Sequence, residues 1–421
     1  MMIEFTRKFL VPAFAGFLLF GCVNDDTGEP VAGEVDLTPA LQAMVDNFAD
    51  QIIIPNYEAV ASHAATFSQA SGSLALYCEA LGTEQEAAAR TVVQDDWQAL
   101  ALLIATVDLH AIGPVLDNGK LLLNLLNAYN EGELSACGVD QATVQNALES
   151  DFSIANKVSN QRGIGALEFL LFNQDFTFSC PGAVSQTAQW NALTEQEQKV
   201  LRCDYAQIVL GDMVQSADAI VNQWLPSGGD YRADFVSSDG LEDTFSALSD
   251  AFFALEDITK DRKLGESLGI RSTCAALVCP EAIEAPYSEY SLATIESNLL
   301  AFEQVFFGRD ALGAEGQGFD DIIIANGFES VVSAMTAALN DALDYLALIR
   351  AGDSLSAQVN AIVAAGDDTA CVNSNANPET VQTVPACALH GYIKRITDIL
   401  RTDFLLAVNL DLPDSTQGDN D

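Results

Sequence analysis

The sequence predicts an all-α fold of two packed helical bundles, on three observations. Val93, Trp97, Leu100, Ile104, Val107 and Ala111 recur every three or four residues, and Phe328, Val332, Met335, Leu339, Ala342 and Leu346 repeat the pattern later. Each set makes one apolar stripe along a helix. Alternating β-branched runs bounded by turns are scarce, and the best of them, Asp321 to Ala325, continues into a helical pattern. Finally, breakers gather in "QWLPSGGDYRADF", Gln223 to Phe235. That stretch leaves about 190 residues on either side, a typical domain size. The expected bodies are a first bundle over 38–225, a linker over 226–235 and a second bundle over 236–410. Four long helices around one core is the simplest plan for each. A helix running into glycine and a loop occurs in both halves, as "VDLHAIGPVLDNGK" and "FEQVFFGRDALGAEGQG". This hints at a duplication and is too short to establish one.

The ends read differently from the body. Arg7 and Lys8 precede an apolar run, Phe9 to Phe20, which closes as Leu19-Phe20-Gly21-Cys22. The run is short for a bilayer core of roughly 30 Å, and its ending resembles the lipobox of bacterial lipoproteins. Residues 1–21 are therefore expected to be a signal peptide and Cys22 the acylated N-terminus. An ordinary secretory signal with a chance cysteine is the plainer alternative. Val23 stands where an aspartate would retain a lipoprotein in the inner membrane of enteric bacteria, so an outer-membrane lipoprotein facing the periplasm is expected. Residues 22–37 read as an acidic tether and 411–421 as a polar tail. No later apolar stretch is expected to span a membrane: Trp97 to Val107 is bracketed by Asp95, Asp96 and Asp108.

Sixty acidic against 18 basic residues give a formal charge of −42. Nucleic acid is excluded as a partner, because nothing here could neutralise phosphates. A solvated acidic surface is the plain reading of the charge, and attraction of metal cations or basic peptides the sharper one. Beyond Cys22, eight cysteines remain: Cys78, Cys137, Cys180, Cys203, Cys274, Cys279, Cys371 and Cys387. An even number in an exported chain, with no Cys-x-x-Cys spacing, reads as four disulfides. Sequential pairing (78–137, 180–203, 274–279, 371–387) is expected, because it keeps each loop within one half.

One stretch carries the chemical question. In "GIGALEFLLF", Gly163 to Phe172, the carboxylate of Glu168 sits among apolar residues on every side. A buried carboxylate without a partner is costly. Arg162 is the first partner to test. The spacing Gly-x-Gly-x-x-Glu fails as a dinucleotide loop, since the third glycine is absent and no strand precedes it. Nucleophile-elbow and P-loop motifs are missing too.

The landmarks "IPNYEAVASHAATF", "DDWQALALLIATVDLHAIGPV", "NQRGIGALEFLLF", "KDRKLGESLGI" and "FEQVFFGRDALGAEGQGFDDIIIANG" fall in an order that resembles the imelysin family. The resemblance runs from about Pro55 to Val408. It implies two helical bundles packed together, association with bacterial iron acquisition, and a Gly-x-His-x-x-Glu signature near the domain interface, in proteins once classed as metallopeptidases. Here Gly163 and Glu168 match that signature, and Gly165 stands where the family has histidine. A histidine and a glutamate three residues apart share a helical face and can bind one metal. Glycine cannot ligate, and one carboxylate is a poor transition-metal site. Iron or zinc is thus the candidate cofactor, with Glu168 as a weak candidate ligand.

The expected binding residues are Glu168, Arg162, Gly163, Gly165, Trp97, His110, Asp320 and Asp321. Trp97 lies on an apolar stripe, where core packing is the plain reading and ligand stacking the sharper one. His110 follows Asp108 by two and so faces elsewhere on a helix, though it ends the helix before Gly113-Pro114. His63 and His390 lack acidic partners at ligand spacing. Asp320 and Asp321 beside a glycine-rich loop serve a helix dipole, or else close a cleft over a cation. The expected function is a lipid-anchored, periplasmic binding protein linked to iron uptake through envelope partners and without protease activity. Its rivals are a metallopeptidase with ligands outside the motif and an envelope interaction protein.

Overall fold

The computed structural model describes residues 36–410, apart from 131, 367 and 368. The expected signal peptide, Cys22, most of the tether and the tail lie outside the described residues. The chain is all-helical, and no strand occurs among the described residues. In chain order the α-helices are α1 (Thr38–Asn47), α2 (Ile54–Phe67), α3 (Ser73–Ala80), α4 (Glu86–Val107), α5 (Asp117–Leu126), α6 (Ala136–Leu148), α7 (Gly163–Phe172), α8 (Ser185–Asn191) and α9 (Glu195–Trp224). They continue as α10 (Tyr231–Phe235), α11 (Leu241–Phe252), α12 (Ser291–Phe306), α13 (Phe319–Ala325), α14 (Glu329–Ile349), α15 (Leu355–Ala365), α16 (Ala370–Ala376), α17 (Pro385–Ile399) and α18 (Leu405–Val408). Three π-helical segments interrupt them: Phe48–Ile53, Leu255–Glu266 and Leu400–Phe404.

The long helices follow from ordinary signals. Thr194 caps α9 by accepting from the Glu197 amide, while the Glu197 carboxylate accepts from the Thr194 amide, a complete capping box. Both predicted stripes are core. Val93, Trp97, Leu100, Ile104 and Val107 are buried in α4, as are Met335, Leu339, Ala342 and Leu346 in α14. Among the described residues no single helix is long and apolar enough to cross a membrane.

In the first half, α9 forms the spine against which α2, α5, α6 and α7 pack. In the second, α14 and α17 pack on each other. The two halves meet where α4 lies on α12. Polar groups stitch this contact: Asn298 donates to the Ala105 carbonyl (2.6 Å), Ser297 donates to the Leu102 carbonyl (2.8 Å), and Thr106 and Ser297 bond at 3.0 Å. One hydrophobic core runs through residues of both halves. The stretch expected as a linker is a tight turn followed by α10, whose Tyr231 and Phe235 rings pack on Trp224 at 5.0 and 5.2 Å.

All eight cysteines form disulfides, but two pairs differ from sequential expectation. Cys78 bonds Cys203 and Cys137 bonds Cys180, while Cys274–Cys279 and Cys371–Cys387 pair as expected. The reason is packing. Helix α3, which carries Cys78, lies against α9, which carries Cys203. Cys137 in the first turn of α6 meets Cys180 in the loop before α8, which packs on α6. The bridge from Cys78 closes a long loop, where a cross-link restrains the unfolded chain most in the entropic account.

Candidate functional site

Helix α7 is buried along nearly its whole length, and its two glycines have separate physical causes. Gly163 has φ +68°, and a Cβ there would lie 2.8 Å from the carbonyl oxygens of Leu125 and Leu126. Only glycine suits that conformation and that approach. Gly165 is helical, and a Cβ on it would lie 2.8 Å from Cε2 of Tyr129. The phenol of Tyr129 thus occupies the space into which a side chain at position 165 would grow. Trp97 holds the start of the helix by donating from Nε1 to the Ile164 carbonyl (3.0 Å), and its ring packs edge-on against Phe172.

Glu168 is fully buried and fully engaged. Its Oε1 accepts from the amides of Tyr287 (2.8 Å) and Ser288 (2.7 Å) and from the Ser288 hydroxyl (2.8 Å). Its Oε2 accepts from the Tyr129 hydroxyl at 3.3 Å. Burial pushes the carboxyl up to about 7, against the opposing pull of the Ser288, Tyr287 and Tyr129 hydrogen bonds. Burial, and then the Glu168 charge, hold the Tyr129 phenol well above its usual range. The carboxylate therefore ties α7 to the loop before α12.

Arg162 does not partner Glu168. Its Nε donates to Asp212 Oδ2 (2.8 Å) and its Nη2 to Asp212 Oδ1, making a buried two-pronged pair with α9. Backbone geometry turns the side chain away: Arg162 is the extended residue just before α7.

A second polar cluster lies beside the first. Lys263, on the π-helical segment Leu255–Glu266, sits 2.8 Å from Glu284 and 3.5 Å from Asp108. Asn127 donates to Asp108 (3.3 Å) and Glu284 (3.1 Å), Asn130 donates to Asp108 (2.7 Å), and Thr294 donates to Glu284 (2.6 Å). Burial moves Asp108 up to about 6, with Lys263 pulling the other way. Tyr129, Lys263 and Glu284 line a cleft of about 510 Å³ together with Glu133, Arg262 and Glu266.

The remaining sequence candidates scatter. His110 is buried with no hydrogen bond at either ring nitrogen, and burial lowers it to about 4. It is a neutral core histidine. Asp321 accepts from the Gly318 amide (3.0 Å) and starts α13, the plain reading of that acidic pair. Asp320 beside it is raised to about 6 by burial and by Asp321. Helix α13 packs on α1, α12, α14 and α18, whereas α7 packs on α4, α5, α6 and α9. The elements that carry Asp320 and Glu168 thus pack on different neighbours. His63 bonds the Asp96 carbonyl (3.0 Å) and His390 bonds Asn375 (2.8 Å). Among the described residues, no group of three or more His, Cys, Asp and Glu is placed to hold a metal. The residues at the motif do not fit the family's metal pair: position 165 offers no ligand, a phenol fills its space, and Glu168 Oε1 already accepts three hydrogen bonds.

Fold and site together define an all-helical protein whose central motif helix is pinned by a buried carboxylate. The chain belongs to the imelysin family, whose model (peptidase M75) matches residues 53–376. It is similar in fold to an imelysin-like protein from Psychrobacter arcticum 273-4, with TM-score 0.63 and 15% identity, covering 89% of this chain and 98% of that one. A protein described as an iron-regulated protein A precursor, from Parabacteroides distasonis ATCC 8503, also matches, with TM-score 0.56 and 15% identity over 88% of this chain and 97% of its own. No curated protein matches it significantly in sequence.

Tyr129, Tyr287, Ser288, Asp212 and Lys263 are the site residues that sequence reasoning missed. The one available signal was Lys263 within the landmark "KDRKLGESLGI".

Proposed function

We propose that this imelysin-family protein is lipid-anchored at Cys22, faces the periplasm from the outer membrane, and binds a ligand or partner in iron acquisition without cleaving peptides. The observation that carries the reading is the replacement of the motif histidine by Gly165 with the Tyr129 ring in its space, beside a Glu168 committed to holding a loop. Four disulfides support an extracytoplasmic location, since such bonds persist in oxidising compartments. The iron link rests on the family and on the description of the Parabacteroides neighbour.

The test pairs metal analysis with a peptidase assay. After chelation and reloading with zinc or ferrous iron, the protein should retain no stoichiometric metal and should cleave no peptide library. Tightly held metal together with cleavage would favour the metallopeptidase rival. Anchoring is tested separately. Cys22→Ser should leave an unprocessed precursor or a soluble form, whereas the wild type should carry an acyl mass on its N-terminal cysteine. A fully soluble wild type with no acyl group would remove the anchor and leave the envelope interaction reading without its membrane.

A further inference from the structure

The chain contains the dipeptide Asn-Gly twice, as Asn118–Gly119 and Asn326–Gly327. Asparagine is thermolabile, because its side-chain carbonyl carbon can be attacked by the next backbone nitrogen. A following glycine has no Cβ to hinder that approach. Sequence alone makes the two sites equal. The fold does not.

Asn326–Gly327 closes α13 and is held at both reacting ends. Asn326 Nδ2 donates to the Ala407 carbonyl (2.9 Å), which ties the end of α13 to α18. The Gly327 amide donates to the Ile324 carbonyl (2.9 Å). The side chain would have to leave one bond and the nitrogen the other before the two could meet.

Asn118–Gly119 stands in the opposite condition. Residues 116–121 are all exposed, and the Asn118 side chain makes no hydrogen bond among the described residues. Asn118, Gly119 and Lys120 form a left-handed run at φ 52°, 69° and 61°. Such a run is uncommon for residues with a Cβ. A Cβ built on Gly119 would meet nothing within 4 Å, so there is room for a ring to close. Exposed tips of this kind are also where backbones open most readily.

We propose that Asn118–Gly119 is a self-modification site, where the folded protein converts asparagine to aspartyl and isoaspartyl forms while Asn326 is spared. The Gly119 nitrogen attacks Asn118 Cγ and gives up its proton. An N–Cγ bond forms, the Cγ–Nδ2 bond breaks, and ammonia leaves with that proton. Water then opens the succinimide. Opening at Cγ leaves aspartate at position 118, and opening at the main-chain carbonyl leaves isoaspartate, with the chain running through the side chain. Both products add a negative charge. Isoaspartate also adds a methylene to the backbone beside Gly119 and Lys120, which line a cleft of about 430 Å³. That extra atom shifts the Gly119 carbonyl from the Asn124 side chain, which donates to it at 3.0 Å. The site is independent of the ligand-binding reading.

The test is peptide mapping by mass spectrometry of the intact, detergent-solubilised protein held for days at pH 8. Tryptic peptide 91–120 contains no asparagine other than Asn118. It should gain the mass difference between an amide and an acid, and split into two peaks for the two products. Asn326 should convert at least about tenfold more slowly, since two hydrogen bonds must open first. In urea the two sites should convert at similar rates. Asn118→Gln should remove the mass gain from peptide 91–120. Equal rates at Asn118 and Asn326 in the native protein overturn the proposal. So does native Asn118 that stays intact while the urea-treated protein converts, or a mass gain that persists in Asn118→Gln.

Discussion

Glu168→Ala is expected to lower stability by about 3 kcal/mol, because it strands the Tyr287 amide, the Ser288 amide and hydroxyl, and the Tyr129 hydroxyl together. Glu168→Gln is expected to behave oppositely at neutral pH. Its carbonyl can accept the three donors on Oε1, and the Tyr129 hydroxyl can turn to accept from the new amide. The variant thus mimics the protonated acid. Since burial raises the folded carboxyl to about 7, the native state binds this proton more tightly than the unfolded chain does. The stability it contributes is full below about pH 4.3, the unperturbed glutamate value, and is lost as pH rises through about 7. Wild type should therefore fall relative to Glu168→Gln across that window, by on the order of 3–4 kcal/mol at pH 8. Chemical denaturation of both proteins at pH 4, 6 and 8 measures the gap. A glutamine variant less stable than wild type at pH 8 would mean that the ionised carboxylate is favoured where it sits.

The same residues show which parts of this molecule a sequence can reveal. Helices were readable because their apolar periodicity is local: Trp97 and Leu100 state their face within one turn. The oddity of "GIGALEF" was readable too, since a carboxylate amid leucines is visible without a fold. Its cause was not. Tyr129 reaches Gly165 from another element, and two of the four donors to Glu168 are backbone amides in the loop before α12, which carry no residue signature. Arg162 pairs with Asp212 because α9 passes beside the start of α7, a fact of packing rather than spacing. Two of the four disulfide pairings differ from the sequential expectation for the same reason. Nearest-neighbour pairing assumes that loops close locally, and Cys78 instead meets the spine helix at Cys203. The π-helical segment that presents Arg262 and Lys263 was equally hidden, because bonding five residues apart leaves no periodic mark.

Gly165→His is expected to fail as a repair of the family motif, although on helix propensity alone it should help. Removing a helical glycine favours the helix by up to about 1 kcal/mol. Against this, the new Cβ would stand 2.8 Å from the Tyr129 ring, and overpacking a filled core costs about 1–3 kcal/mol. The single variant should melt lower than wild type and bind zinc no better. Adding Tyr129→Ala removes the ring and its hydrogen bond to Glu168 Oε2, which frees both the space and one carboxylate oxygen. The double variant should therefore bind zinc at least about tenfold tighter than wild type, a difference of about 1.4 kcal/mol. Glu168→Ala in that background should abolish the gain, because histidine and carboxylate act as one pair on one helix face. Melting curves and zinc titration calorimetry on the four proteins separate the outcomes. Tighter zinc binding by Gly165→His alone would show that Tyr129 yields easily and does not block the site. Equal affinity in wild type and the double variant would show that this helix face cannot hold a metal even when the histidine is restored.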